Sequence, residues 1–158
     1  MGAITASKTK LSVGGTTACD TVSEYDALTW VAVSDVTNYG EFGPQYQEIT
    51  YTPIETGVVK RLKGALDNGN LQLELARNPD DAGQADLIEA LASYDNINVK
   101  VELNDKPSGA GAKPTRFFFP CKVMAYRPVI GDGNRVVGAT VQLGIDGDVL
   151  EGAKAAGS

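Results

Sequence analysis

The sequence predicts a mainly β protein, built as one antiparallel β-sandwich or barrel-like domain with a single flanking α-helix. Its 158 residues include 18 glycines and 7 prolines, and turn-forming residues separate short apolar runs along the chain. A hydrophobic content of 42% is enough to bury a core, and the length suits one domain better than two. We therefore expect one domain over residues 1–152 and a flexible tail over 153–158.

The first 29 residues are small and polar, which suggests an N-terminal arm over residues 1–29. A short strand is predicted around Thr9 to Val13, and regular structure is expected to begin at Trp30. A long loop over residues 38–44 then carries Tyr39 and Phe42. These two aromatic residues either form a docking surface or fold back onto the core.

An alternating pattern begins at Gln47 and predicts a half-buried strand that ends at Pro53. Ile49 and Tyr51 share one face of this strand. The other face carries Glu48, Thr50 and Thr52.

A β-hairpin is predicted further on, where residues 58–66 and 71–75 flank the turn Asp67-Asn68-Gly69-Asn70. Asn-Gly favours tight hairpin turns because both residues tolerate positive φ. The two flanking segments are therefore expected to pair with each other.

One helix is predicted over residues 80–94. Asn78 can cap it, Pro79 suits its first position, and Asp80 and Asp81 place negative charge at the positive end of the dipole. The predicted apolar stripe consists of Leu87, Ile88 and Leu91. Gly83 costs ~1 kcal/mol relative to alanine, so this helix should depend on packing against a sheet.

Three strands over residues 97–103, 116–126 and 135–145 are predicted to form an antiparallel meander. Pro120 inside the second strand indicates an edge or a bulge, where a ladder hydrogen bond is dispensable. The glycine-rich segment 104–114 between the first two strands is expected to be flexible without a partner.

The residues offer little chemistry, and no catalytic, cofactor-binding or metal site is predicted. The chain has no histidine, which removes the usual general base and the commonest transition-metal ligand. Its paired aspartates lack the spacing of a Ca²⁺ loop, and its glycine loops complete no phosphate-binding motif. Cys19 and Cys121 are expected to be reduced thiols, with Cys121 buried and inert. An enzyme is therefore not expected.

The formal charge of −6, with scattered basic residues, argues against tight binding to nucleic acid. No apolar run is long enough to cross a membrane, and no basic-then-apolar signal segment is visible. We expect a soluble protein that is not exported.

A set of segments in a particular order spans most of the chain: Trp30 with Val33, residues 49–52, residues 60–64 leading into 67–69, the helix start at 81–87, and residues 118–145. In order and spacing these segments resemble the major tail tube proteins of long-tailed, siphophage-like bacteriophages. The resemblance implies the tail tube fold and a structural virion protein assembled in the host bacterial cytoplasm.

The resemblance also implies how such a protein works. Six copies would join their sheets into a ring, and stacked rings would form the hollow tail tube through which DNA is ejected. Implied partners are further copies of the chain, a tape measure protein, a tail tip or initiator complex and a tail terminator. Double-stranded DNA would pass without specific binding, since an acidic or neutral lumen lets the duplex slide.

Two groups of site residues follow from this hypothesis. The lumen-lining residues would be Glu48, Thr50, Thr52, Thr140 and Gln142. The inter-ring contacts would be Tyr39, Phe42, Pro107 and Lys113. The alternative is that all of them are ordinary solvent-facing positions on a monomer.

Other functional interpretations stay open. The chain could be the tube protein of a contractile tail or of a secretion-type injection machine. It could also be a monomeric β-barrel or sandwich binding module, although a carrier barrel would need more large inward side chains than an aromatic content of 7% supplies.

Overall fold

A computed structural model describes residues 2–156, which contain ten strands and two helices. Their order is β1 (Lys10–Val13), α1 (Val22–Asp26), β2 (Val31–Val33), β3 (Val36–Asn38), β4 (Gln45–Tyr51), β5 (Lys60–Asp67), β6 (Asn70–Ala76), α2 (Ala82–Leu91), β7 (Ile97–Glu102), β8 (Arg116–Val129), β9 (Gly138–Ile145) and β10 (Leu150–Gly152). Strands account for 42% and helices for 10%, which confirms the mainly β prediction.

The strands form two antiparallel sheets. The main sheet has eight strands in the order β2-β1-β7-β8-β9-β6-β3, and β10 pairs with β8 beside this path. Strands β7, β8 and β9 are consecutive neighbours, so the predicted C-terminal meander is confirmed. Pro120 lies between the part of β8 that pairs with β10 and the part that pairs with β9. The predicted edge or bulge is not found at Pro120, because β8 has neighbours on both sides and its bulge lies between Val123 and Ala125. The missing N–H is tolerated where one partner strand ends and the next begins.

The predicted hairpin between residues 58–66 and 71–75 is wrong. β5 pairs with β4 in a separate two-stranded sheet, whereas β6 lies between β9 and β3 in the main sheet. The turn at Asp67 does form, because the Asp67 carboxylate accepts a hydrogen bond from Gly69 N at 2.8 Å and Gly69 has φ +79°. This turn carries the chain from one sheet into the other.

The main core lies on one face of the main sheet. Alternate residues of the central strands are fully buried there, including Leu73 of β6, Val99 of β7, Phe119 of β8 and Val141 of β9. Leu87 of α2 packs into the same cluster. The period-two pattern of these strands therefore specifies which face is buried.

Helix α2 begins later than predicted. Its N-cap is Asp81, whose carboxylate accepts a hydrogen bond from Gln84 N at 2.9 Å, so the assignment of Asn78 as the cap is wrong. The Asn78 side chain instead accepts a hydrogen bond from Asp80 N, which places it in the preceding turn.

The buried face of α2 also differs from the predicted stripe. It consists of Gly83, Gln84, Leu87 and Ala90. Ile88 and Leu91 are 37% and 40% exposed, so only Leu87 of the predicted stripe is buried. A Cβ at Gly83 would lie 2.3 Å from the Ala32 carbonyl oxygen, which shows that glycine lets the helix approach β2 closely.

A second, smaller cluster covers the opposite face of β8. The Tyr25 ring of α1 stacks on Phe118, with ring centroids 5.1 Å apart, and Trp30 packs on the same phenylalanine. The Arg116 guanidinium donates two hydrogen bonds to the Asp26 carboxylate, at 2.9 and 2.8 Å. These contacts tie α1 to the sheet.

Both termini are more integrated than the sequence suggested. From Lys10 onward the leader belongs to the domain, because β1 lies between β2 and β7. In the tail, Ala153 O accepts a hydrogen bond from Arg116, and Ala155 exchanges two backbone hydrogen bonds with Lys113. Met1 of the predicted arm and residues 157–158 of the predicted tail lie outside the described residues. Within residues 2–156, no helix is long and apolar enough to cross a membrane.

Candidate assembly surfaces

The hairpin of β4 and β5 exposes an apolar face. Cross-strand pairing places Ile49 opposite Leu62 and Tyr51 opposite Lys60, so these residues share one side. Ile49, Tyr51 and Leu62 are 48%, 51% and 55% exposed, respectively. The predicted alternation in β4 is correct, but the strand is not half-buried: all seven of its residues are exposed. We call Ile49, Tyr51, Leu62 and Leu66 the apolar hairpin face.

The polar hairpin face carries two of the predicted lumen residues. Glu48 lies opposite Lys63, and Thr50 lies opposite Arg61. The Arg61 Nε atom donates a hydrogen bond to the Glu48 carboxylate at 2.6 Å. Because both side chains are well exposed, this ion pair contributes only about 0–1 kcal/mol. Thr52 follows the strand and is exposed.

The turn between β4 and β5 carries further exposed apolar side chains, together with the exposed Glu55. Ile54 is fully exposed, and Val58 and Val59 are exposed beside it. A two-stranded hairpin is marginally stable alone in water, and within residues 2–156 neither of its faces is covered by other parts of the chain. An apolar hairpin presented in this way is the most prominent unpartnered feature of the described residues.

The other two predicted lumen residues lie on the main sheet. Thr140 and Gln142 of β9 point away from the core, opposite Glu74 and Gln72 of β6, respectively. Arg127 of β8 extends this row beside Thr140. The five residues form a polar surface that contains one acidic and one basic side chain; we call it the polar sheet face.

The predicted inter-ring aromatic residues fold back onto the core. Tyr39 and Phe42 are partly buried and pack against the main cluster. The Tyr39 hydroxyl donates a hydrogen bond to Thr9 O at 2.9 Å, and burial raises its pKa to about 12. The Phe42 ring packs edge-on against Phe117, with centroids 5.5 Å apart. Both aromatic residues therefore fold back onto the core of their own chain, which was one of the two possibilities that the sequence left open.

The segment 104–114, which contains Pro107 and Lys113, makes contacts within its own chain. Pro107 is partly buried. Lys113 Nζ lies 3.4 Å from the Asp26 carboxylate. Asp105 accepts hydrogen bonds from both the backbone and the hydroxyl of Thr115, at 2.7 and 2.5 Å. These contacts within one chain hold both ends of the segment in place.

The thiols and carboxylates were candidate metal ligands in the sequence. Among residues 2–156, no group of three or more cysteine, aspartate or glutamate side chains could hold a metal ion. Cys19 and Cys121 are free thiols. Burial raises the pKa of Cys121 to about 12, so this thiol stays protonated at neutral pH, as its position in the sequence predicted.

The sequence interpretation predicted a strand over residues 58–66 but assigned no site role to β5 or to the hairpin turn. In the segment Lys60-Arg61-Leu62-Lys63, basic residues precede and follow the apolar Leu62. Two basic residues flanking Leu62 are typical of a strand with one solvated face, which was a usable signal. This pattern does not show that β5 pairs with β4.

This chain has the fold of tail tube proteins. It matches a chain of the anti-feeding prophage baseplate, a six-fold symmetrised assembly, with a TM-score of 0.70 and 11% identity over 97% of both chains. It matches a chain of the sheath/tube terminator of an extracellular contractile injection system with a TM-score of 0.68 and 16% identity over 97% of this chain and 99% of the other.

A third match is to the SPP1 tail tube, with a TM-score of 0.65 and 14% identity over 96% of this chain and 80% of the other. No protein-family model matches the chain, and no curated protein matches it significantly. At these identities the shared property is the fold. The matched structures come from tubes and terminators of more than one kind of machine.

Proposed function

We propose that this protein is the structural subunit of a phage tail tube, in which copies of the chain form hexameric rings that stack around a hollow channel for DNA ejection. The observation that carries the proposal is the apolar hairpin face, which the described chain leaves uncovered. Covering it with a neighbouring copy removes apolar surface from water and stabilises a hairpin that is marginal alone.

The polar sheet face and the polar hairpin face are suited to line the channel. Gln72, Thr140 and Gln142 are uncharged, and Glu74 and Arg127 balance each other. The polar sheet face thus lacks the positive charge that would hold a duplex through its phosphates, and on the polar hairpin face Glu48 pairs with Arg61 beside Lys63. With Glu48, Thr50 and Thr52 on the hairpin, these residues form the proposed lumen lining. DNA would then move through the tube without specific contacts.

Completing the machine would require a tape measure protein, a tail tip or initiator complex and a terminator. The folds matched above include a baseplate chain and a terminator chain, so the same fold serves at tube ends as well as along a tube. The tube of a contractile tail or of a secretion-type injection machine fits the same observations, and it predicts the same polymer with an added sheath partner. Assembly in the host bacterial cytoplasm and incorporation into the virion belong to this proposal.

The test is negative-stain electron microscopy of the purified protein over a concentration series, with light scattering alongside. Hollow stacked rings are the expected result for the natural sequence. Ile49→Asp should abolish them, because it places a charge on the apolar hairpin face. Thr50→Asp is the matched control: it introduces the same charge one residue away, on the polar hairpin face, and should leave rings intact.

Far-UV circular dichroism should be unchanged in both variants, since neither position belongs to the core. A natural-sequence protein that stays monomeric even with a tail tip complex added would favour a monomeric binding module instead. Equal behaviour of the two variants would show that the apolar hairpin face is not an assembly contact.

A further inference from the structure

The turn between β5 and β6 is a junction for three parts of the chain. The Asn68 carbonyl oxygen accepts a hydrogen bond from Gly43 N at 3.3 Å, and the Asn68 Nδ2 atom donates one to Gly147 O at 2.5 Å. The Gly69 carbonyl oxygen accepts a third from Ile145 N at 3.1 Å. The turn thereby ties the loop before β4 and the loop after β9 to the start of β6.

Asn68 is also the asparagine of this chain best placed for attack on its own side chain. It is the only asparagine in the sequence that precedes a glycine. The backbone nitrogen that follows an asparagine can attack the side-chain amide carbon and close a five-membered ring, and a side chain on the attacking residue hinders that approach. Gly69 has no side chain. The space around it is open as well, since a Cβ built at Gly69 would meet only Gly43 O, at 3.9 Å.

Two hydrogen bonds restrain the reacting atoms in the folded protein. The attacking atom, Gly69 N, donates to the Asp67 carboxylate at 2.8 Å, and the amide that would leave donates to Gly147 O. Both contacts lie at the surface rather than in the core, and the turn directly follows β5, whose residues are largely exposed. Local opening of the turn therefore costs less free energy than global unfolding, and it releases both atoms.

We propose that Asn68 is a site of spontaneous deamidation, reached when this turn opens. The Gly69 nitrogen forms a bond to Cγ of Asn68, the Cγ–Nδ2 bond breaks, and the amide leaves as ammonia with the proton from Gly69 N. Water then opens the resulting succinimide ring at either of its carbonyl groups, so residue 68 becomes aspartate or isoaspartate. Water is the only co-reactant, and nothing is oxidised or reduced. This inference is independent of the proposed function, because it concerns the single chain.

The products fit the junction poorly. A carboxylate at position 68 has no N–H to donate to Gly147 O, and it places a second negative charge beside Asp67. Isoaspartate also lengthens the backbone by one carbon immediately before β6, whose register with β9 begins with Asn70 opposite Gly144. Modification should therefore loosen the connection between the hairpin and the main sheet.

Peptide mapping by mass spectrometry tests the assignment in the natural protein. The chain is kept in mildly alkaline buffer, at a concentration where light scattering detects no polymer, and is digested after increasing times. Conversion at Asn68 should be at least about tenfold faster than at Asn134, which lies in another exposed turn but precedes Arg135. Equal rates at the two positions would overturn the proposal.

The same mapping in guanidinium chloride tests the role of turn opening. Unfolding removes both restraining hydrogen bonds, so conversion at Asn68 should become faster by about tenfold or more. A rate at Asn68 that is the same in the folded and the unfolded chain would show that the reaction does not wait for the turn to open.

Asn68→Asp reproduces one of the two products and tests the consequence for the junction. Its urea midpoint should fall by about 0.5 M, because the donor to Gly147 O is lost. Asn134→Asp is the matched control: it makes the same chemical change in an exposed turn away from the junction and should leave the midpoint unchanged. Equal midpoints for Asn68→Asp and the natural protein would overturn the predicted loosening.

Discussion

Replacing Gly83 by alanine should destabilise the protein, although alanine is the better helix former. A Cβ at this position would lie 2.3 Å from the Ala32 carbonyl oxygen and 2.7 Å from Val33 Cα. Both atoms belong to the backbone of β2, so they cannot rotate away as a side chain could. Helix and strand would have to separate by about 1 Å to reach ordinary contact distances, which weakens the packing of Leu87 beside them.

The magnitude follows from two opposing effects. Overpacking costs about 1–3 kcal/mol, and contact with rigid backbone places this site at the upper end. The higher helix propensity of alanine offsets about 1 kcal/mol. The net loss should be about 2 kcal/mol, or a fall of about 1 M in the urea midpoint for an m-value of about 2 kcal/mol/M.

The assay is urea unfolding followed by circular dichroism, at a protein concentration where light scattering detects no polymer. Ala85→Gly is the control: its site is exposed on α2, so it should lose only the propensity difference of about 1 kcal/mol. A Gly83→Ala protein that is more stable than the natural one by about 1 kcal/mol would refute the close approach of α2 to β2.

Two further predictions concern buried groups. Burial raises the pKa of Asp26, but hydrogen bonds and charge from Arg116, then Lys113, outweigh it and hold the pKa below its usual value. Since the folded-state pKa is depressed, this pair stabilises the fold above about pH 4 and loses its effect as the pH falls through the folded-state pKa. Asp26→Asn should therefore cost about 3 kcal/mol in unfolding free energy at pH 7. This cost should fall as the pH drops through the folded-state pKa of Asp26, and a cost that does not change with pH would contradict the ion pair. In thiol titration of the native protein, Cys19 should react while Cys121, whose pKa is about 12, reacts only after denaturation; two reactive native thiols would contradict the burial of Cys121.

The turn at Asn68-Gly69 is a local feature, whereas the pairing of β5 is a tertiary one. Asn68-Gly69 correctly predicted a tight turn, because that signal depends on the local backbone. Which strands the turn separates is a tertiary property. Alternation specifies the two faces of β5 and β6 but does not identify their neighbours, and β5 fits β4 as well as β6 by pattern alone.

The helix shows the same division. Acidic capping residues and apolar spacing predicted its existence near residues 80–94. The buried face was decided by packing: Gly83 and Ala90 lie against the sheet because small side chains allow close approach, and Ile88 and Leu91 are left outside. Hydrophobicity alone could not rank a glycine above an isoleucine for burial.

For the assembly surfaces, the sequence by itself determined the polar and apolar faces of β4 and β9, since alternation in a strand is a property of each strand alone. It also determined the lack of histidine and the modest negative charge. Only the tertiary structure decided that β4 and β5 leave the main sheet and that Tyr39 and Phe42 turn inward. Each of these depends on contacts between residues far apart in the chain, which no local pattern records.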